Sequence, residues 1–302
     1  MQARPADRPL GPHVTLLGGE RGGKYPHGNS LLVRGAVETA VIDPSLAVIA
    51  RRDELAPVHR VLNSHVHEDH VAGNGAFPAA AWHVPAADLP GIRSLDGLMA
   101  VYGFDPTADA AFRRVVVEEF HFTPRADALP FEDGAVFDLG GVRVRAIHAP
   151  GHTRGHSFFH LEPDDVLYLG DVDLSSFGPY YGDAWSSLED FERTLARART
   201  LDARWYATFH HVGVLEGRAA FQERLERFAA VIGRREEALC SFLAVPRTLD
   251  EIVQHRFVYR PGDAVPFADA VERRSMGQHL DRLVRAGRVR RADDGGFTLA
   301  PA

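Results

Sequence analysis

In the first 75 residues four short β-rich, mostly apolar runs, 13–17, 30–33, 39–43 and 60–64, alternate with turns. That pattern predicts strands of one sheet. Residues 107–120 predict a helix, flanked by loops carrying Tyr102, Phe104, Phe120 and Phe122. Three further strands are expected at 142–147, 157–161 and 166–169, before Leu188, Phe191, Leu195 and Ala198 restore helical spacing over 188–200. Strands, helix, strands, helix is the order of a layered α/β sandwich. After Gly217, Phe221, Leu225, Phe228 and Val231/Ile232 recur every three or four residues, which predicts a long amphipathic helix ended by Pro246. Beyond it the pattern gives two or three short helices, at 249–256, 267–273 and 276–286, a stop at Gly287 and a hairpin through Asp293-Asp294-Gly295-Gly296, a winged-helix-like arrangement.

A chain of 302 residues stands near the size, about 250–300 residues, at which one core stops growing and a second unit splits off. The expected division is a catalytic domain at 1–215, a connecting helix at 216–245 and a small C-terminal domain at 246–302. No run approaches the roughly 20 apolar residues of a membrane span, and residues 1–13 are polar and Pro-rich, so no membrane association and a cytoplasmic location are expected. The formal net charge of -7 leaves no overall basic footprint for nucleic acid. One cysteine, Cys240, excludes an intramolecular disulfide and a thiolate zinc site. Any metal must then be held by imidazole and carboxylate. Eight of the 16 histidines fall in 65–70, 148–156 and 210–211, and these segments carry the chemistry.

The stretch Gly18-Gly19-Glu20-Arg21-Gly22-Gly23-Lys24-Tyr25 approaches a phosphate loop but lacks the hydroxyl residue after the lysine, and Pro26 and a β-rich run follow where a helix should begin. It reads as a hairpin connection. Ser64-His65-Val66-His67-Glu68-Asp69-His70 follows an apolar strand directly. In an extended stretch His65 and His67 project to one side, and a turn lets Asp69 and His70 face a second cation beside the first. Borderline cations such as zinc accept this mixture of donors.

His65-x-His67-x-Asp69-His70 resembles the signature of the metallo-β-lactamase superfamily. Pro150-Gly151-His152-Thr153 and Leu169-Gly170-Asp171 are similar to that family's next two motifs, in the expected order, and 28–31 and 41–44 are similar to its opening strands. The resemblance covers roughly residues 13–215 and implies an αββα sandwich as the catalytic domain. It also implies two divalent metal ions, zinc foremost, with iron or manganese compatible with the same donors. His65, His67 and His152 would hold one ion, Asp69, His70 and His211 the other, with Asp171 and a hydroxide between them. His211 is preferred over the adjacent His210 because the family places a small residue before the ligand, and His210 occupies that place. The implied activity is hydrolysis of a small ester, thioester or lactone by metal-bound hydroxide, with Asp69 as ligand and proton carrier.

His156 and Asp173 stand where they can orient ligands, although a packed strand histidine and a turn carboxylate are equally ordinary uses of such residues. Tyr180 and Tyr181, in the loop after the Asp171 strand, are candidates for binding substrate oxygen or for packing that loop. Residues 271–291 hold seven arginines against two acids, which opens an alternative: an endoribonuclease or phosphodiesterase using its C-terminal domain on RNA. A second alternative is iron-dependent oxidation of a thiol or persulfide. A non-catalytic module would show a broken ligand set, and this one is complete. The small C-terminal domain also suits a homodimer contact.

Overall fold

The computed structural model describes residues 6–263, 265–292 and 295–301. Met1–Pro5, at the start of the polar N-terminus, lie outside the described residues, as do Asp293 and Asp294 of the expected hairpin turn. Seven strands form the first sheet in sequential order: β1 (Arg8–Pro9), β2 (Val14–Leu17), β3 (Ser30–Arg34), β4 (Thr39–Ile42), β5 (Arg60–Leu62), β6 (Ala81–Pro85) and β7 (Leu129–Phe131). Its first four strands are antiparallel, and β4 to β7 run parallel. The second sheet comprises β8 (Val136–Asp138), β9 (Arg143–His148), β10 (Ser157–Glu162), β11 (Val166–Tyr168), β12 (Trp205–Ala207) and β13 (Val214–Glu216). Only β11 and β12 are parallel there, and the crossover between them is the Leu188–Ala198 helix.

Alternation along the strands builds the layers. Ile42, Leu62, Phe159 and Tyr168 point between the sheets with Val144 and Phe209. Their chain neighbours Val41 and Val61 face outward to Met99 and Phe112, on the helices Leu95–Tyr102 and Pro106–Glu118. Phe158 and Leu167 face outward on the other side, to Phe191, Leu195, Phe221 and Phe228. This is the αββα sandwich.

The Arg218–Phe242 helix spans two cores. Its first half covers the second sheet, and Leu239 near its end joins a separate cluster with Ile252, Met276, Leu280, Val289 and Phe297. That cluster holds the helices Leu249–His255 and Ala268–Arg285 and the antiparallel pair β14 (Val289–Arg291) and β15 (Phe297–Leu299). Of the two or three helices expected after Pro246 the chain forms two, with 267–273 and 276–286 continuous as one. Glu272, Ser275 and Met276, around the expected junction, are buried.

Candidate metal centre

β5 delivers the first candidate ligands. Past Leu62 the chain bends, and Asn63 fixes the bend by donating from Nδ2 to the His70 carbonyl at 3.0 Å, while Asn74 Nδ2 donates to Asn63 Oδ1 at 2.9 Å. Asp43, at the end of β4, is fully buried and serves as an anchor. It accepts the Ser64 amide at 2.7 Å, His70 Nδ1 at 2.8 Å and the Tyr168 hydroxyl at 2.9 Å. His70 therefore presents Nε2 to the site with its tautomer set by a carboxylate.

Two donor groups result. In the first, His65 Nε2 and His152 Nε2 lie 3.1 and 3.0 Å from His67 Nδ1, and Asp171 Oδ2 is 3.1 Å from His152 Nε2. The second contains Asp69, His70 and His210, with His210 Nε2 3.0 Å from Asp69 Oδ2. Asp171 faces both, since its Oδ1 is 2.8 Å from His70 Nε2. Three imidazole nitrogens within about van der Waals contact of one another, and a carboxylate shared by two groups, suit cations better than hydrogen bonds. A second observation agrees. His70 Nε2 and Asp171 Oδ1 are both buried and lack hydrogen-bond geometry even at that separation. The donor set therefore fits divalent metal ions.

The last histidine corrects the expectation. His210, not His211, completes the second group. Its Nδ1 is anchored by the carbonyls of Gly23 at 2.8 Å and His27 at 3.0 Å, which frees Nε2 to face Asp69. His211 adopts φ 53°, and its side chain turns outward, 37% exposed, to stand 3.8 Å from Asp173 Oδ2. The position expected to hold a small residue before the ligand holds the histidine that the structure brings to the second group.

The other positions divide. His156 donates from Nδ1 to the Ala149 carbonyl at 2.9 Å and accepts the Asp171 amide on Nε2 at 3.1 Å, so it holds the shared carboxylate from behind. Burial pushes its pKa down to about 3, which keeps it neutral and able to accept. Gly170, at φ 51°, has no room for a side chain against this ring: a Cβ there would lie 2.6 Å from His156 Nε2. Asp173 accepts the Ser175 amide at 3.0 Å, and burial raises it to about 6. Tyr180 accepts His152 Nδ1 on its carbonyl at 3.0 Å and donates its hydroxyl to Asp183. Tyr181 is buried and hydrogen-bonded to His279 of the C-terminal helix at 2.9 Å, so it packs the loop rather than the centre.

Burial opposes charge on His70, yet the carboxylates of Asp171, Asp43 and Asp69 outweigh it and hold that imidazole well above the ordinary range. The same balance, with Asp171 and Asp69, raises His210 to about 9. Both rings sit in a field that attracts positive charge.

Three contributors escaped the sequence pattern. Asp183 Oδ2 lies 3.1 Å from His67 Nε2, the nitrogen turned away from the other ligands. Asp88 accepts Thr153 Oγ1 at 2.6 Å and the Gly155 amide at 2.8 Å, fixing the turn that carries His152. Buried Glu68 accepts the hydroxyls of Tyr25 and Tyr102. Glu68 stands inside the histidine motif, and a fourth contributor, Asp43, stands at the end of an apolar strand, whereas nothing in the neighbours of Asp183 and Asp88 marks them.

Residues 25–226 match the profile of the metallo-beta-lactamase superfamily. The chain belongs to that superfamily. Among relatives of this superfamily member is a hydroxyacylglutathione hydrolase from Methylococcus capsulatus, 31% identical over 239 residues, 75% of this chain and 79% of the relative. An atrochrysone carboxyl ACP thioesterase from Paecilomyces divaricatus is 39% identical over 75 residues, covering 25% of this chain and 22% of its own length. In fold, the chain is similar to a metallo-beta-lactamase family protein from Thermus thermophilus, with TM-score 0.72, 26% identity, and coverage of 96% and 100% of the two chains. A beta-lactamase domain protein from Burkholderia ambifaria matches with TM-score 0.70 and 20% identity over 99% and 96%. The molecule is thus a hydrolase of the metallo-β-lactamase superfamily with a His/Asp metal-binding cluster. Among the described residues no helix is long and apolar enough to cross a membrane.

Proposed function

We propose that this hydrolase binds two divalent metal ions, zinc foremost, and cleaves acyl thioesters. The observation that carries the reading is the pair of donor groups sharing Asp171, together with relatives named for thioester hydrolysis. When bound, the cations supply Lewis acidity and make coordinated water acidic near neutral pH. The protein's own share is positional. Asp43 orients His70, the Tyr180 carbonyl orients His152, and the carbonyls of Gly23 and His27 orient His210, while Asp183 stands 3.1 Å from His67 Nε2 as a charge partner. Asp69, 4% exposed and 3.0 Å from His210 Nε2, is the carboxylate assigned to take up a proton and return it to the departing thiolate.

Five of the seven C-terminal arginines that raised the RNA alternative are engaged within the chain, while Arg290 and Arg291 are exposed on β14. Arg282 pairs with Glu192 and Glu236, Arg285 with Glu189, Arg288 with Glu236, and Arg273 with Asp250. Arg274 donates to the carbonyls of Tyr102 and Gly103. This favours a domain contact over a phosphate-binding face, and we read residues 246–302 as a winged-helix-like unit docked on the catalytic domain. The test is elemental analysis of protein purified without added metal, with hydrolysis of a panel of thioesters, esters and lactones. Close to two equivalents of zinc-like metal and chelator-sensitive thioester cleavage are expected. One iron per chain would favour oxidation, and absence of metal after reconstitution would overturn the reading.

A further inference from the structure

Glu68 stands between two candidate ligands, His67 and Asp69, yet belongs to neither donor group. It is 4% exposed, and a buried carboxylate has to be held by donors. Its two oxygens have separate partners: the Tyr25 hydroxyl donates to Oε1 at 2.9 Å, and the Tyr102 hydroxyl donates to Oε2. The Tyr102 oxygen also accepts the Glu68 amide at 3.1 Å, so this phenol grips the residue at backbone and side chain. The two tyrosines are held very differently. Tyr102, at the end of the Leu95–Tyr102 helix, is buried, with its ring stacked 5.3 Å from His67 and 5.4 Å from Phe104, and its carbonyl accepts from Arg274. Tyr25 is exposed, with its ring 5.9 Å from Phe120, in the glycine-rich loop between β2 and β3.

That loop is the one that orients His210. Its anchors alternate along the chain: the carbonyls of Gly23 and His27 meet His210 Nδ1 at 2.8 and 3.0 Å, and Tyr25, midway between them, is tied to Glu68. Asn29 secures the base of the loop, with its backbone and side-chain nitrogens on the Phe209 carbonyl and its Oδ1 on the Gly19 amide. At the tip the chain turns through Arg21, Gly22 and Gly23 at φ 55°, 70° and 72°, and Arg21, Gly22 and Lys24 are exposed. The hydroxyl of Tyr25 thus carries the tie from this tip to the turn that bears His67, Asp69 and His70. A glutamate suits the task, because a carboxylate accepts both hydroxyls at once whereas an amide offers one accepting oxygen.

We infer that Glu68 is a positioning residue for the second donor group: by joining Tyr25 to the buried Tyr102 it fixes the loop whose carbonyls aim His210 Nε2. The inference rests on the two-ion reading above. A ligand ring whose far nitrogen is held presents the near one in a single direction, and loss of such support weakens metal binding without removing a ligand.

The test titrates metal-free protein with zinc against a chromophoric chelator and compares the wild type with Tyr25→Phe, Glu68→Gln and the double variant. Tyr25→Phe keeps the ring beside Phe120 and loses only the hydroxyl. In this variant the dissociation constant of the second equivalent should rise about tenfold while that of the first changes by less than about twofold. Glu68→Gln should weaken the second equivalent at least as much, and the double variant no more than Glu68→Gln, since both substitutions cut one tie. A further readout needs no metal. Trypsin cleavage after Arg21 and Lys24 in metal-free protein, followed by mass spectrometry, reports opening of the loop, and it should quicken about tenfold in either single variant. A second equivalent bound by Tyr25→Phe as tightly as by the wild type, equal weakening of both equivalents, or unchanged loop cleavage would each overturn the role of Glu68. Wild-type protein that takes up no second equivalent overturns the two-ion function proposed above. Loop cleavage in metal-free protein then decides the tie by itself: faster in the variants upholds it, unchanged refutes it.

Discussion

His210 and His211 are adjacent, and replacing each should have opposite consequences. His210→Ala removes one of three protein donors from the second group. A four-donor zinc site is worth about 10–16 kcal/mol, so one donor accounts for roughly 3 kcal/mol, on the order of 100-fold in affinity. The loss extends further, since the same ring ties down the carbonyls of Gly23 and His27. His211 is better replaced by Asn, because its φ of 53° is a conformation Asn adopts without penalty and Ala does not. That side chain is 37% exposed and 3.8 Å from the nearest carboxylate, so metal content should stay at the wild-type value. The assay is elemental analysis after dialysis against a weak chelator, with circular dichroism to confirm folding. One equivalent lost in His210→Ala and none in His211→Asn is the expected pair. Loss in His211→Asn with full retention in His210→Ala would refute the assignment.

Asp183→Asn leaves the His67 ring without its charged partner 3.1 Å away, and a fall of about 10–100-fold in metal affinity or activity is expected with little change in melting temperature; an unchanged affinity by competition titration would contradict it. Gly28→Ala drives a Cβ into the Phe209 ring, which stacks 3.6 Å from His70, so thermal unfolding should show about 1–3 kcal/mol of destabilisation together with weakened metal retention. Glu236 is held down to about 2 by its hydrogen bond from His279, against the cost of burial, and by Arg282. Because its folded pKa lies below the unfolded value of 4.5, the stabilisation is complete above that pH and fades as pH falls toward 2. Glu236→Gln should cost about 1 kcal/mol at neutral pH after allowance for solvent screening, and denaturant curves should show wild type and variant converging at low pH; a pH-independent gap would count against the pairing.

What the sequence made legible was whatever is contiguous. Four of the candidate ligands lie within six residues behind one apolar strand, so periodicity and donor chemistry were enough to read them. The choice between His210 and His211 was different in kind. It turns on the backbone conformation at one residue and on carbonyls of Gly23 and His27, about 180 positions away, which no local pattern encodes. The arginine-rich stretch shows the same limit. Counted locally, residues 271–291 are strongly basic, but the acids that pair with them belong to the helices Leu188–Ala198, Arg218–Phe242 and Leu249–His255. Asp183 and Asp88 were invisible for the same reason, being single carboxylates in loops with nothing in their neighbours to mark them.

The pairing of those arginines bears on the chemistry as well as on the fold. The Ala268–Arg285 helix does not merely lie beside the αββα sandwich. Arg274 holds the carbonyl of Tyr102, whose hydroxyl is on Glu68. Gln278 accepts the Leu188 amide and donates to the Tyr181 carbonyl, and His279 takes the Tyr181 hydroxyl. Tyr180 and Asp183 flank that same residue; the Tyr180 carbonyl orients His152, and Asp183 is the charge partner of His67. A buried loop stitched at three points has fewer conformations to sample than a free one, and orienting residues lose effect steeply with small displacements. The C-terminal segment is therefore the backing of one side of the metal centre, and Glu272 fixes Tyr259 against Phe177 of the same loop. Substitutions within this helix should consequently reach metal retention before they reach global stability, an order that a purely structural appendage would not produce.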